Sequence, residues 1–259
     1  MRAISTIKQI ISASAPMRNK ADPLSSCETD ALFGEDVMIC DDSLADWVLV
    51  RLETDQYLAW VERDHLGDLP EPTHHICTMR ALITRGEDIK TPTLGYLPLA
   101  ARVHVIEQNR RVAQISLGQG TTGYIPSDHI RPCDEYCEDW VATAEQLLGV
   151  PYRWGGRDSI GLDCSALVQL AMASGGLPSP RNSGDQEKTL GISLSSLTEL
   201  GRGDLVFWRG HVGVMQDNSQ LLHANAWHNM VKSEPLAEAI SRIKANNGGD
   251  VTRLARILQ

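Results

Sequence analysis

The chain has 259 residues, 42% of them hydrophobic and 22% charged, with a formal net charge of −9. That acidic balance argues against nucleic acid or an anionic membrane as a partner, because both attract basic surfaces, and favours a soluble protein with a small-molecule or peptide substrate. The length suggests two or three compact units, and no run reaches the roughly eighteen apolar residues of a membrane span. Near the N-terminus a short apolar patch is interrupted by Lys8 and Gln9, which makes a poor apolar core for a signal peptide. The six cysteines, spread from Cys27 to Cys164, do not make a dense disulfide framework, so a reducing cytoplasm is the expected location.

Residues 1–26 read as an N-terminal arm in which Ile4, Ile7, Ile10 and Ile11 give one short helical stripe before Pro16 and Pro23 break regularity. Residues 27–70 hold the runs VMIC, WVLVRL and YLAWV between the polar breaks DDSLAD and ETDQ, a pattern of short strands and tight turns that predicts a small β-barrel. A second passage of the same kind, with ARVHVIE, RVAQISL and TGYIP, covers 71–133. The two align as a weak internal repeat, Ala31–Leu66 ending in DQYLAWVERDHL and Thr93–Ile130 ending in TTGYIPSDHI. Tyr57, Trp60 and Val61 in the first copy resemble the strand endings of bacterial SH3-like domains; Gly123, Tyr124 and Ile125 are the looser counterpart. Cys133 and Cys137 lie near His129, but no second ligand pair follows at zinc-site spacing, so no metal is assigned.

From 134 to 259 helices come first and strands afterwards, which predicts an α+β domain. Trp140, Val141, Ala144, Leu147 and Leu148 recur at helical spacing up to Gly149. After the glycine-rich PYRWGG, Asp163 is a good N-cap for a helix through Ala166, Leu167, Leu170 and Ala171 that stops at Gly175 and Gly176. Cys164 falls in its first turn, where unpaired N–H groups and the helix dipole favour an anion, so its thiol pKa is expected to fall. A serine-rich loop spans 175–200, followed by apolar runs at 204–209, 211–216 and 220–226, a helix from 235, a loop at 246–250 and a final strand.

A lone cysteine or histidine reads first as a buried structural residue. The ordered set here is different: a helix-capping Cys164, then His211 at a strand start, then His223 on the next strand, supplies a nucleophile, a base and a group to orient the base. His65, His74, His75, His104 and His129 fall in the barrel region and read as ordinary strand or surface residues.

PYRWGG, DCSALVQ, GDLVFW, HVGVM and LLHANA, in that order, resemble the NlpC/P60 family of cell-wall cysteine peptidases over about residues 136–257. The resemblance implies a papain-like catalytic domain behind two small SH3-like barrels, with Cys164 as nucleophile, His211 as base and later acid, and His223 orienting it. Ala166 stands where that family usually has glycine. With two SH3-like barrels in front, the chain resembles the γ-D-glutamyl-L-diamino acid endopeptidases. That implies a murein peptide with a free N-terminal L-alanine as substrate, cut before lysine or diaminopimelate, in cell-wall peptide recycling or turnover without metal or organic cofactor. Tyr152, Asp163 and Ser165 would line the site, and Glu35 and Tyr57 of the first barrel would help recognise the alanine, the ammonium wanting a carboxylate from Glu35 or Asp163. Arg181, Ser183 and Gln186 resemble a loop near the site. Two alternatives stay open: a cysteine-dependent amidase or acyltransferase on another substrate, and a non-enzymatic cell-wall binding protein.

Overall fold

The computed structural model describes residues 6–258. The chain forms two compact units: one runs to Tyr136 and includes Arg157–Ser159, and the other comprises Cys137–Gly156 and the chain from Ile160 onward.

In the first unit, β1 (Ile7–Ile10), β2 (Ser14–Arg18), β3 (Cys27–Leu32), β4 (Asp36–Asp41), β5 (Trp47–Leu52), β6 (Leu58–Glu62) and β7 (Leu66–Gly67) form one antiparallel sheet, in the order β3-β2-β6-β5-β4-β1-β7. Alternation explains the core: Val48, Val50 and Leu52 of β5 point inward with Val37, Ala59 and Val61. The expected helical stripe of the arm is corrected here. Ile7 and Ile10 lie on a strand that pairs with β4 on one side and β7 on the other, and Ile10 is fully buried. β-branched side chains fit a pleated, half-buried surface better than a helix. Ile4 lies outside the described residues.

The second half of this unit contains β8 (His74–Ile76), β9 (Arg80–Thr84), β10 (Thr93–Pro98), β11 (Arg102–Val103), β12 (Val105–Gln108), β13 (Val112–Gly118), β14 (Thr121–Pro126) and β15 (Ile130–Pro132). They make sheets of order β10-β9-β14-β13-β12 and β11-β8-β15. The repeat seen in the sequence reappears in the backbone: β6 and β14 each run into a single 3-10 turn, Arg63–His65 and Ser127–His129, and then into a strand. The two halves share a seam at Phe33 and Gly34. Phe33 is buried in the core formed by Ile76, Leu97, Val103 and Ile115. Gly34 has φ +76° and a Cβ there would stand 2.1 Å from the Arg102 carbonyl oxygen, so only glycine fits. The last strand of this unit, β16 (Arg157–Asp158), comes from much later in the chain.

In the second unit, α1 (Trp140–Glu145) is capped by Asp139, and β17 (Gly161–Leu162) leads to α2 (Cys164–Ser174). α2 is buried on nearly every side, which explains why its sequence, CSALVQLAMAS, carries no charge. α3 (Ser183–Thr189) and β18 (Ile192–Ser193) occupy what the sequence suggests is a loop. α3 has no apolar stripe to announce it, and its anchor is the fully buried Gln186. β19 (Leu205–Trp208), β20 (His211–Met215), β21 (Gln220–Asn225), β22 (Met230–Pro235) and β23 (Arg253–Arg256) join β18 in an antiparallel sheet of order β18-β23-β19-β20-β21-β22. α2 packs on β20 and β21, while α4 (Leu236–Ala245) packs on β21 and β22 through Leu236 and Ala239.

Candidate active site

Asp163 starts α2 by accepting the Ala166 N–H at 2.9 Å. Its carboxylate does more than cap. It accepts two hydrogen bonds from the buried Arg181 guanidinium, at 2.9 and 2.7 Å, together with the Ser165 hydroxyl and the Gly155 N–H, each at 3.1 Å. Arg181 also donates to Ser165 Oγ at 2.9 Å, and Gln186 of α3 donates to the Ser165 carbonyl at 2.9 Å. Asp163, Ser165, Arg181 and Gln186 therefore lock the first turn of α2 to the PYRWGG loop, and Cys164 is held between them.

Cys164 is 6% exposed, and the backbone N–H groups of Val212 and Ser165 point at its sulfur. Val212 follows His211, so this contact brings the first turn of α2 to the start of β20. Burial, reinforced by the Asp163 charge, pushes the Cys164 thiol up to about 12 against those N–H groups and Arg181. The expectation of a lowered thiol pKa from the helix terminus is thus corrected, because desolvation outweighs the dipole at this position. Burial also pushes the His211 imidazole down to about 3, helped by His223 and Arg242. The resting pair is a neutral thiol and a neutral imidazole.

His211 and His223 come together across β20 and β21: His211 Nε2 lies 2.8 Å from His223 Nδ1. His223 is completely buried, and its Nε2 lies 2.6 Å from Glu234 Oε1 on β22. The Arg242 guanidinium of α4 donates to the same oxygen. Burial works to raise the Glu234 pKa, but His223 and Arg242 hold it below the usual carboxylate range, so Glu234 is an ionised acceptor. Burial likewise keeps His223 neutral. The hydrogen-bond network then assigns the protons. His223 donates its Nε2–H to Glu234 and accepts the His211 Nε2–H at Nδ1, which leaves the lone pair of His211 on Nδ1. Neither Glu234 nor Arg242 is evident in the sequence, because their place depends on the β21–β22 register and on the approach of α4.

Tyr152 lines a cavity of about 240 Å³ together with His211 and His223. Burial first, then the nearby Cys164 and the Asp163 carboxylate, raise its pKa, so the phenol remains a donor. Glu35 and Tyr57 belong to the first unit. Tyr57 packs against the core of the first sheet. Glu35 is 3% exposed, and its two carboxylate oxygens accept from Arg157 at 2.9 and 3.1 Å and from the Leu32 N–H at 2.7 Å. Burial works against its ionisation, yet Arg157 and these hydrogen bonds keep its pKa below the ordinary value. Both carboxylates expected to receive a substrate ammonium are therefore already paired with buried arginines: Asp163 with Arg181, Glu35 with Arg157. A substrate ammonium reaching either carboxylate would have to share it with that arginine. His223, His228 and Glu234 bring ligand atoms within 4.8 Å of one another, and Glu234 Oε1 is already shared by His223 and the Arg242 cation.

Residues 149–246 match the NlpC/P60 family, and residues 17–66 match the bacterial dipeptidyl-peptidase SH3 domain. The chain is 26% identical over 231 residues to the dipeptidyl-peptidase 6 of Lysinibacillus sphaericus, covering 81% of this chain and 84% of that protein. It is 27% identical over 235 residues to a γ-D-glutamyl-L-lysine dipeptidyl-peptidase of Bacillus subtilis, covering 82% and 77%. The crystal structure of an NlpC/P60 family protein from Bacillus cereus superposes with a TM-score of 0.82 at 19% identity, over 98% of this chain and all of that one, and shows the same fold.

Proposed function

From the premise that this chain joins an NlpC/P60 cysteine-peptidase domain to a bacterial SH3 domain, we propose that it hydrolyses the bond between γ-linked D-glutamate and an L-diamino acid in murein peptides with a free N-terminal L-alanine. The observation that carries the chemistry is the ordered relay from Glu234 through His223 to His211, whose Nδ1 lone pair is left for the proton of Cys164. The named activities of the relatives support the choice of bond.

Cys164 attacks the glutamyl carbonyl as its proton passes to His211 Nδ1, so charge develops on sulfur only as the new bond forms. Backbone N–H groups at the start of α2 and the Tyr152 hydroxyl are donors for the oxyanion. His211 returns the proton to the leaving amine, and a water activated by the same imidazole then cleaves the thioester. Glu234 stabilises the imidazolium stage through His223 without taking a proton itself. We place this reaction in the recycling of short murein peptides in a reducing cytoplasm, where the six cysteines remain thiols.

The test is release of L-Ala-D-Glu from an L-Ala-γ-D-Glu-diamino acid peptide. Cys164→Ala should abolish it. Turnover persisting in that variant, or wild-type cleavage confined to unrelated amides or acyl esters, refutes the reading.

A further inference from the structure

The cavity beside His211 has a chemical character that the reaction itself does not require. Its charged lining residues are Arg209 and Arg242, and no carboxylate is among the residues that line it. Arg242 is matched by Glu234. Arg209, exposed on the turn between β19 and β20, makes no hydrogen bond or ion pair among the described residues. Two further lining residues, Trp208 and Asn225, are buried, and their indole Nε1–H and amide Nδ2 have no hydrogen-bond partner among the described residues. The orientation of the Asn225 amide is fixed because its Oδ1 accepts the His228 N–H at 2.8 Å. An unmatched cation in a lining without carboxylates suits a carboxylate ligand.

The place of the cavity in the reaction follows from His211. The base must return its proton to the leaving amine, so the leaving residue lies against His211, and this cavity is lined by His211 and His223. At about 240 Å³ it falls below the roughly 300–1,000 Å³ of pockets for drug-sized ligands, which suits one residue. Trp227, with its ring 5.8 Å from the Arg242 guanidinium, offers an apolar wall for a methylene chain.

We infer that this cavity receives the side chain of the leaving diamino acid and selects one that ends in a carboxylate, diaminopimelate, over lysine, with Arg209 as the specificity-determining charge. The inference rests on the proposed reaction. Both side chains end in an ammonium, so what separates them is the extra carboxylate of diaminopimelate, which meets the Arg209 cation in a lining that holds no carboxylate of its own.

The experiment compares kcat/KM for L-Ala-γ-D-Glu-meso-diaminopimelate and L-Ala-γ-D-Glu-L-Lys in the wild type, Arg209→Ala and Arg209→Glu. The wild type should prefer the diaminopimelate peptide by about tenfold or more, the scale of one hydrogen-bonded charge pair. Arg209→Ala should reduce that ratio toward one, chiefly through KM, and Arg209→Glu should turn it toward lysine. Equal or reversed preference in the wild type overturns the inference, as does a ratio unchanged by both variants, which would assign Arg209 to a group common to both peptides. Cleavage of neither peptide refutes the proposed reaction itself, whereas cleavage of both at equal rates refutes only the selectivity.

Discussion

At Cys164 and His211, burial sets the protonation states, and this has a consequence for stability. The Cys164 thiol is pushed up to about 12 in the folded protein, above its ordinary value near 9. Between those values the native state holds a proton that the unfolded chain has lost. The stabilisation is therefore complete below pH 9 and drains away as pH rises toward 12, to a limit of about 4 kcal/mol. His211 shifts the opposite way, down to about 3, so its share is present above the ordinary histidine range and is lost as pH falls toward 3. Urea unfolding of the wild type and Cys164→Ala at pH 7, 9 and 10.5 isolates the thiol. The wild type should lose about 2 kcal/mol more than the variant between pH 9 and 10.5. Parallel losses in the two proteins would show that the thiol is not desolvated.

Helix α2 is where a cap and an ion pair are combined in one side chain, and the two can be separated. Asp163→Ala removes the cap and leaves Arg181 buried without a carboxylate, a loss of about 3–5 kcal/mol. Asparagine is as good an N-cap as aspartate, so Asp163→Asn keeps the first role and loses the second. If the charge dominates, unfolding should find the Asn variant within about 1 kcal/mol of the Ala variant; an Asn variant near wild-type stability would assign the effect to the cap. This element was legible because its signals are local: Asp163, a periodic apolar run and a pair of glycines. The runs that form β19, β20 and β21 were legible for the same reason, and adjacency of those strands is what brings His211 to His223. β1 and α3 were not. Ile7 and Ile10 carry a spacing compatible with a helix until pairing with β4 and β7 supplies hydrogen bonds on both sides, and α3 is held by the polar contacts of Gln186. Glu234 was invisible for a related reason, since His223 stands opposite Lys232 and only the pleat and α4 bring Glu234 to its ring.

Over the whole chain, sequence order and spatial grouping disagree at one place, and the disagreement concerns a charge. Arg157 follows the PYRWGG loop, within the stretch read as catalytic domain, yet it belongs to the first unit and is bound to Glu35, 122 positions earlier. Arg157 is 2% exposed, and it also donates to the Asp30 carbonyl oxygen at 2.8 Å. A composition-based boundary at 134 cannot register such a return, because nothing local marks Arg157 as different from a surface arginine. The resemblance that suggested Glu35 as a binding residue likewise carried no sign of this buried partner. Burying two charges is recovered only when both are present, so removing either should cost about 3–5 kcal/mol, while removing both together should cost less than either alone. Glu35→Gln, Arg157→Met and the double variant, compared by urea unfolding in the full chain, form the cycle that measures this. A double variant as unstable as the sum of the singles would mean that Glu35 and Arg157 are held by their other contacts.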